Sequence, residues 1–177
     1  MASSRFVRAM CALALFNGVL WMSTAEDALA SEREEEAKKY TEQLRKSKDA
    51  KTKVKALQEL GSLAQMKKSL ITDALPDVYK AAEDKDAGVR AAAAETLGKA
   101  DEPYSKAGPI LVKMLKEEKD EAVKIGALRG LTAMGTTAKD SAPAVREIVK
   151  ATMGDKKSKL GVAAKDTLKA IGAGKGK

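Results

Sequence analysis

The chain has 177 residues, a formal net charge of +8 and 33% charged residues. It carries no His, one Cys and one Trp, which excludes a Ser-His-Asp triad, a Cys-His pair and a His-based metal centre. Aromatics make up only 3%, a poor basis for stacking single-stranded nucleic acid, and the length fits one domain.

Residues 1–30 read as a secretory leader. Arg5 and Arg8 give a short basic start, Ala9–Met22 an apolar run, and Ala28-Leu29-Ala30 a small-residue cleavage pattern before Ser31. The run contains Asn17 and Gly18 and is short for a membrane span, which needs about 20 apolar residues. Ser23-Thr24-Ala25 offers an alternative cut. An uncleaved N-terminal anchor is the rival reading. Cys11 lies at the start of the run with a charge just before it, which argues against lipidation. Once residues 1–30 are removed, no Cys, His, Trp or Phe remains, so no disulfide supports the fold.

The rest is a repeat. One segment recurs without gaps: DAKTKVKALQELGSLA at 49–64, DAGVRAAAAETLGKAD at 86–101, DEAVKIGALRGLTAMG at 120–135 and KSKLGVAAKDTLKAIG at 157–172. Its columns place Thr52, Val89, Val123 and Leu160, then Ala56, Ala93, Ala127 and Ala164, then Leu60, Leu97, Leu131 and Leu168, then Leu63, Ala100, Met134 and Ile171 on one helical face. Asp49, Asp86 and Asp120 stand where an N-cap belongs; Lys157 replaces the fourth, and Asp155 is the substitute cap expected there. Gly135 and Gly172 fit helix ends.

A second helix precedes each copy. Pro76, Pro109 and Pro143 are expected to open three of these. The first is the charged stretch from Ser31 to Lys46, with Ala37, Tyr40, Thr41 and Leu44 facing inward. The predicted helices are 32–46, 50–65, 71–83, 87–100, 107–118, 121–134, 141–152 and 158–171, with no sheet. Paired helices at offsets of 34–37 residues define an all-α solenoid of about four helical hairpins over 31–172. Residues 173–177 are expected to be a disordered basic tail.

Segments 86–101 and 120–135 resemble HEAT repeats, in particular the short HEAT-like type also found in phycobilisome lyases, and the resemblance covers residues 44–172. It implies an inter-repeat ladder joining Asp49, Asp86 and Asp120 to Lys53, Arg90 and Lys124. The fourth rung is missing, because Lys157 and Gly161 occupy its places.

Nothing in the sequence points to catalysis, a cofactor or a metal. The Glu32–Glu36 run reads as a solvated first turn, and no EF-hand, P-loop or dinucleotide motif occurs. The excess charge is concentrated at the end, with +5 in residues 151–177. Val54, Ala91, Ile125 and Val162, with Leu57, Ala94, Leu128 and Lys165, are expected to lie opposite the core columns, where they either line a shallow apolar groove or are buried on a second side between neighbouring repeats. Lys53, Leu57, Arg90, Lys124, Ile125, Leu128 and Arg129 are therefore the expected partner-binding set, fitting an acidic protein or peptide. The expected function is an exported, secreted or periplasmic scaffold without nucleic-acid contacts. Its basic end around Lys156, Lys157 and Lys159 is available for peripheral membrane contact. A lyase-type or chaperone-like accessory and a structural envelope protein are the alternatives.

Overall fold

The computed structural model describes residues 20–155 and 157–174. Most of the apolar leader run, Lys156 and residues 175–177 lie outside the described residues. Among the described residues there are eight α-helices and no strand. They are α1 (Leu20–Lys46), α2 (Ala50–Met66), α3 (Leu75–Ala81), α4 (Ala87–Lys99), α5 (Tyr104–Glu117), α6 (Glu121–Met134), α7 (Ala142–Ala151) and α8 (Lys159–Ala170). Two 3₁₀ segments, Lys68–Ala74 and Gly135–Ser141, lead into α3 and α7.

The chain divides into two units, Met1–Glu36 and Ala37–Lys177. In the first, the described part is the leading half of α1, whose residues 28–36 are exposed apart from half-buried Arg33. The second is the solenoid. Helices α2, α4, α6 and α8 form one layer in chain order, and α3, α5 and α7 back it by packing on α4, α6 and α8.

The repeat columns account for the core. Ala56, Ala93, Ala127 and Ala164 are each 0% exposed, as are Leu60, Leu97 and Leu131. Ala37 and Leu44 of α1 are buried as expected, with Tyr40 and Thr41 half-buried beside them. The three Asp caps form: Asp49 accepts from the Thr52 N–H at 2.9 Å, Asp86 from Val89 at 3.0 Å and Asp120 from Ala122 at 2.8 Å. Each satisfies an amide that a first helical turn leaves free. The fourth cap is Ser158, which accepts from Gly161 at 3.1 Å, and not Asp155, which accepts from the Lys157 N–H within its own loop. Gly135 ends α6 at φ 58, ψ −137, a backbone region essentially restricted to glycine.

Pro109 does not open its helix. Helix α5 starts five residues earlier, at Tyr104, and Pro109 lies exposed inside it. The Tyr104 ring covers Gly108, where a Cβ would come within 2.4 Å of the ring. Ala173 is held in place: its N–H donates to the Leu168 carbonyl at 2.8 Å, and its own carbonyl accepts from Arg146 at 3.2 Å.

The seams between repeats use two devices. Between α4 and α6 the backbones touch. A Cβ on Gly98 would fall 2.1 Å from the Gly130 carbonyl oxygen, and one on Gly126 2.4 Å from that of Ala91. Between α2 and α4, and again between α6 and α8, a buried threonine crosses the seam. The Thr96 hydroxyl donates to the Leu57 carbonyl at 2.8 Å and the Thr167 hydroxyl to that of Leu128 at 3.2 Å.

Candidate functional site

Position in the repeat decides which predicted site residues reach solvent. Leu57, Ala94 and Leu128 are 0% exposed, which corrects the expectation that they face outward. At 100° per residue they sit only about 105° from the centre of the core stripe, on the flank that meets the next repeat. Val54, Ala91, Ile125 and Val162 sit about 165° away. These do face out: the first three are half-buried and Val162 is 50% exposed. Leu57 and Leu128 therefore leave the candidate binding surface.

The ladder also differs from the resemblance. Asp49, Asp86 and Asp120 are occupied as caps, and the acidic partners lie two residues before the next cap. Lys53 donates to Asp84 at 2.6 Å. Arg90 grips Glu118 with two parallel hydrogen bonds of 2.7 and 3.0 Å, and its remaining nitrogen reaches the Asp84 and Lys85 carbonyls. Asp120 and Asp86 act on Arg90 through charge alone. Asp84 is held below the ordinary carboxylate range by the Asp86 N–H and by Lys53. Lys124 stands at the same repeat position as Lys53 and Arg90. Among the described residues it has no carboxylate within salt-bridge distance.

Three surface depressions have distinct characters. One, of about 120 Å³, holds the ion pairs Arg45–Asp77 and Lys53–Asp84. A second, of about 420 Å³, is bordered by Arg90, Lys113, Glu83, Glu117 and Glu118, with the cations already matched by the acids. The third, of about 460 Å³, opens between α6 and α8. Its apolar wall is Ile125, Val162 and Ala163, its base Thr132 and Thr167, and its rim Arg129, Lys157 and Lys159 with Asp166 as the one acid. The two threonine hydroxyls lie 3.0 Å apart, and Asp166 pairs with Lys169 at 3.2 Å.

Arg129 is 66% exposed and only loosely attached, 3.4 Å from Glu95. Burial pushes Glu95 up, but Lys99 at 2.7 Å and Arg129 outweigh it and leave the carboxyl below its ordinary range. Ile125 and Arg129, both expected from sequence, thus meet Lys157 and Lys159 of the basic end at one groove. Lys53 and Arg90 lie in other seams and are consumed by ion pairs.

The sequence gives no sign of one buried polar cluster. Glu102, 8% exposed, accepts from the Tyr79 hydroxyl at 3.0 Å and lies 3.5 Å from Lys68. Burial, with Glu102 beside it, pushes the Tyr79 phenol up to about 12. The cluster pins the loop after α4, where Asp101 has φ 51 and its carbonyl accepts from Lys68. Among the described residues no group of three metal-ligating side chains converges, and no helix is long and apolar enough to cross a membrane.

No curated protein matches the chain. The family described as HEAT repeats matches residues 37–132, more than half of the chain, from the second half of α1 through α6. With the capped, column-packed helical pairs described above, the match is sufficient: the chain belongs to the HEAT-repeat family of helical-repeat scaffolds for protein interaction.

Proposed function

We propose that this protein is an exported interaction scaffold that holds an acidic, amphipathic protein segment in the groove between α6 and α8 and performs no catalysis itself. The observation that carries the reading is the composition of that groove. Ile125, Val162 and Ala163 supply an apolar surface, and Arg129, Lys157 and Lys159 border it. Apolar contact contributes affinity, and the cations contribute orientation and association rate. A segment with leucines on one face and carboxylates beside them matches both.

Export is supported by the basic start, the apolar run and the Ala28-Leu29-Ala30 pattern. A cut after Ala30 would remove nothing of the unit that begins at Ala37. N-terminal sequencing of protein from its native host tests this: Ser31 is the expected first residue, and an intact Met1 in a cytosolic fraction refutes it.

The groove is tested with a synthetic helical peptide bearing Leu at positions i, i+3 and i+7 and Glu between them. Fluorescence anisotropy should show saturable binding to the wild type and at least tenfold weaker binding to Val162→Asp. Because Val162 is half exposed, that change should leave the thermal midpoint nearly unaltered. Equal binding by both proteins refutes the groove.

A further inference from the structure

The ladder between repeats stops one seam short, and it stops where the groove opens. At the first seam Lys53 meets Asp84 at 2.6 Å, and at the second Arg90 meets Glu118 at 2.7 Å. In both, the acid stands two residues before the cap of the following repeat, Asp86 or Asp120. At the third seam the cap is Ser158, and the sequence two residues before it reads Lys156, with opposite charge. The neighbouring acid, Asp155, is exposed and turned to the Lys157 amide at 2.8 Å. Lys124, half-buried at the ladder position of α6, has no carboxylate partner among the described residues.

Resting on the groove reading above, we propose that a carboxylate of the bound protein segment completes this third rung on Lys124. The two formed rungs show what the position accepts: a single carboxylate, at hydrogen-bond distance from the cation, between consecutive repeats. At the third seam the groove beside Ile125 is rimmed by Arg129, Lys157 and Lys159, with Asp166, already paired to Lys169, as its one acid, so an added carboxylate meets a mainly positive surface. Lys124 is next in sequence to Ile125, which lines the groove. A segment lying on Ile125 and Val162 therefore needs only one acidic side chain directed along α6 to reach the rung. The acid sets the register of the segment, and the apolar contacts hold it.

The test uses the same labelled Leu/Glu peptide with the full chain and three variants. Lys124→Met keeps the aliphatic stem and removes the charge; Lys124→Arg restores it; Lys106→Met removes an exposed lysine elsewhere. The expected result is at least tenfold weaker binding by Lys124→Met, recovery in Lys124→Arg and no change in Lys106→Met, with unchanged circular dichroism throughout. Replacing the peptide's glutamates one at a time by glutamine should identify one position at which the Lys124→Met effect disappears. Equal binding by Lys124→Met and wild type, with binding still lost in Val162→Asp, overturns the rung and leaves the groove standing. Wild-type affinity in both Lys124→Met and Val162→Asp overturns both readings.

Discussion

Replacing Gly98 by alanine probes the central seam of the solenoid. In an isolated helix the change is favourable by about 1 kcal/mol, because glycine is the weaker helix former. Here the added Cβ would lie 2.1 Å from the Gly130 carbonyl oxygen and 2.4 Å from its Cα, both backbone atoms of α6. Neither can rotate aside. Restoring ordinary contacts of about 3.5 Å requires the two helices to separate by more than about 1 Å. That separation opens gaps around Ala93, Leu97, Ala127 and Leu131, all fully buried. Overpacking of this kind costs typically 1–3 kcal/mol and sometimes more, and a clash against rigid backbone belongs at the upper end. After the propensity gain, a net loss of about 2–3 kcal/mol is expected. At roughly 2–4 °C per kcal/mol for a chain of this size, the thermal midpoint should fall by about 4–12 °C. Gly88→Ala is the matched control. Gly88 is exposed, and its new Cβ would meet only the Asp86 side chain at 3.1 Å and Val54 at 3.7 Å. That change should stay within about 1 kcal/mol of neutral. Because repeat proteins unfold through nearest-neighbour interfaces, Gly98→Ala should also broaden the urea transition. A Gly98→Ala protein as stable as Gly88→Ala would show that α4 and α6 do not approach as closely as described.

Other outcomes follow from single contacts. Leu97→Ala removes a fully buried side chain from the core column and should cost about 2–5 kcal/mol in urea unfolding. Gly135→Ala forces a side chain onto φ 58, ψ −137 and should cost about 1–3 kcal/mol, although nothing lies within 4 Å of the new Cβ. Asp84 has a lowered pKa in the folded protein. Its contribution is therefore complete above the ordinary carboxylate pKa of about 4 and is lost as pH falls through the folded value; Asp84→Asn should flatten that acid limb of the stability curve. Tyr79 should ionise near 12 in an ultraviolet titration, and Tyr79→Phe should remove that step. Since the folded phenol titrates above its ordinary value of about 10, its contribution is present below pH 10 and fades as pH rises towards 12.

Local rules carried most of the fold. The Asp at each repeat start, the apolar columns and the closing glycine each specify a helix by near-neighbour chemistry, so the sequence locates α2, α4 and α6 to within a residue or two. What required tertiary knowledge was the flank of each helix. A wheel drawn for one helix has one buried face, but a helix between two repeats is covered on its flanks as well, which is why Leu57 and Leu128 read as exposed. Lys165 sits at the same repeat position in α8, and it is exposed because no further repeat covers it among the described residues. The charge at that position is the sequence signal that the others are interior.

The ladder departs from the one the resemblance implies for a related reason. An aspartate at a helix start has two available uses, capping its own helix or pairing with a neighbour, and the local one takes precedence because it needs no neighbouring repeat. Once Asp49, Asp86 and Asp120 are committed to amides 2.8–3.0 Å away, an inter-repeat cation turns to the next acid upstream, Asp84 or Glu118. This order explains the third seam. Its loop after α7 carries Asp155, but Asp155 accepts from its own turn, and the sequence between it and the Ser158 cap is Lys156-Lys157. The seam still closes through Thr167 on the Leu128 carbonyl, beside the groove that Arg129, Lys157 and Lys159 rim. The α6–α8 groove sets Ile125, Val162 and Ala163 beside Arg129, Lys157 and Lys159 with Asp166 as its one acid, and that composition distinguishes it from the two depressions described above, where Arg45, Lys53, Arg90 and Lys113 are paired with acids.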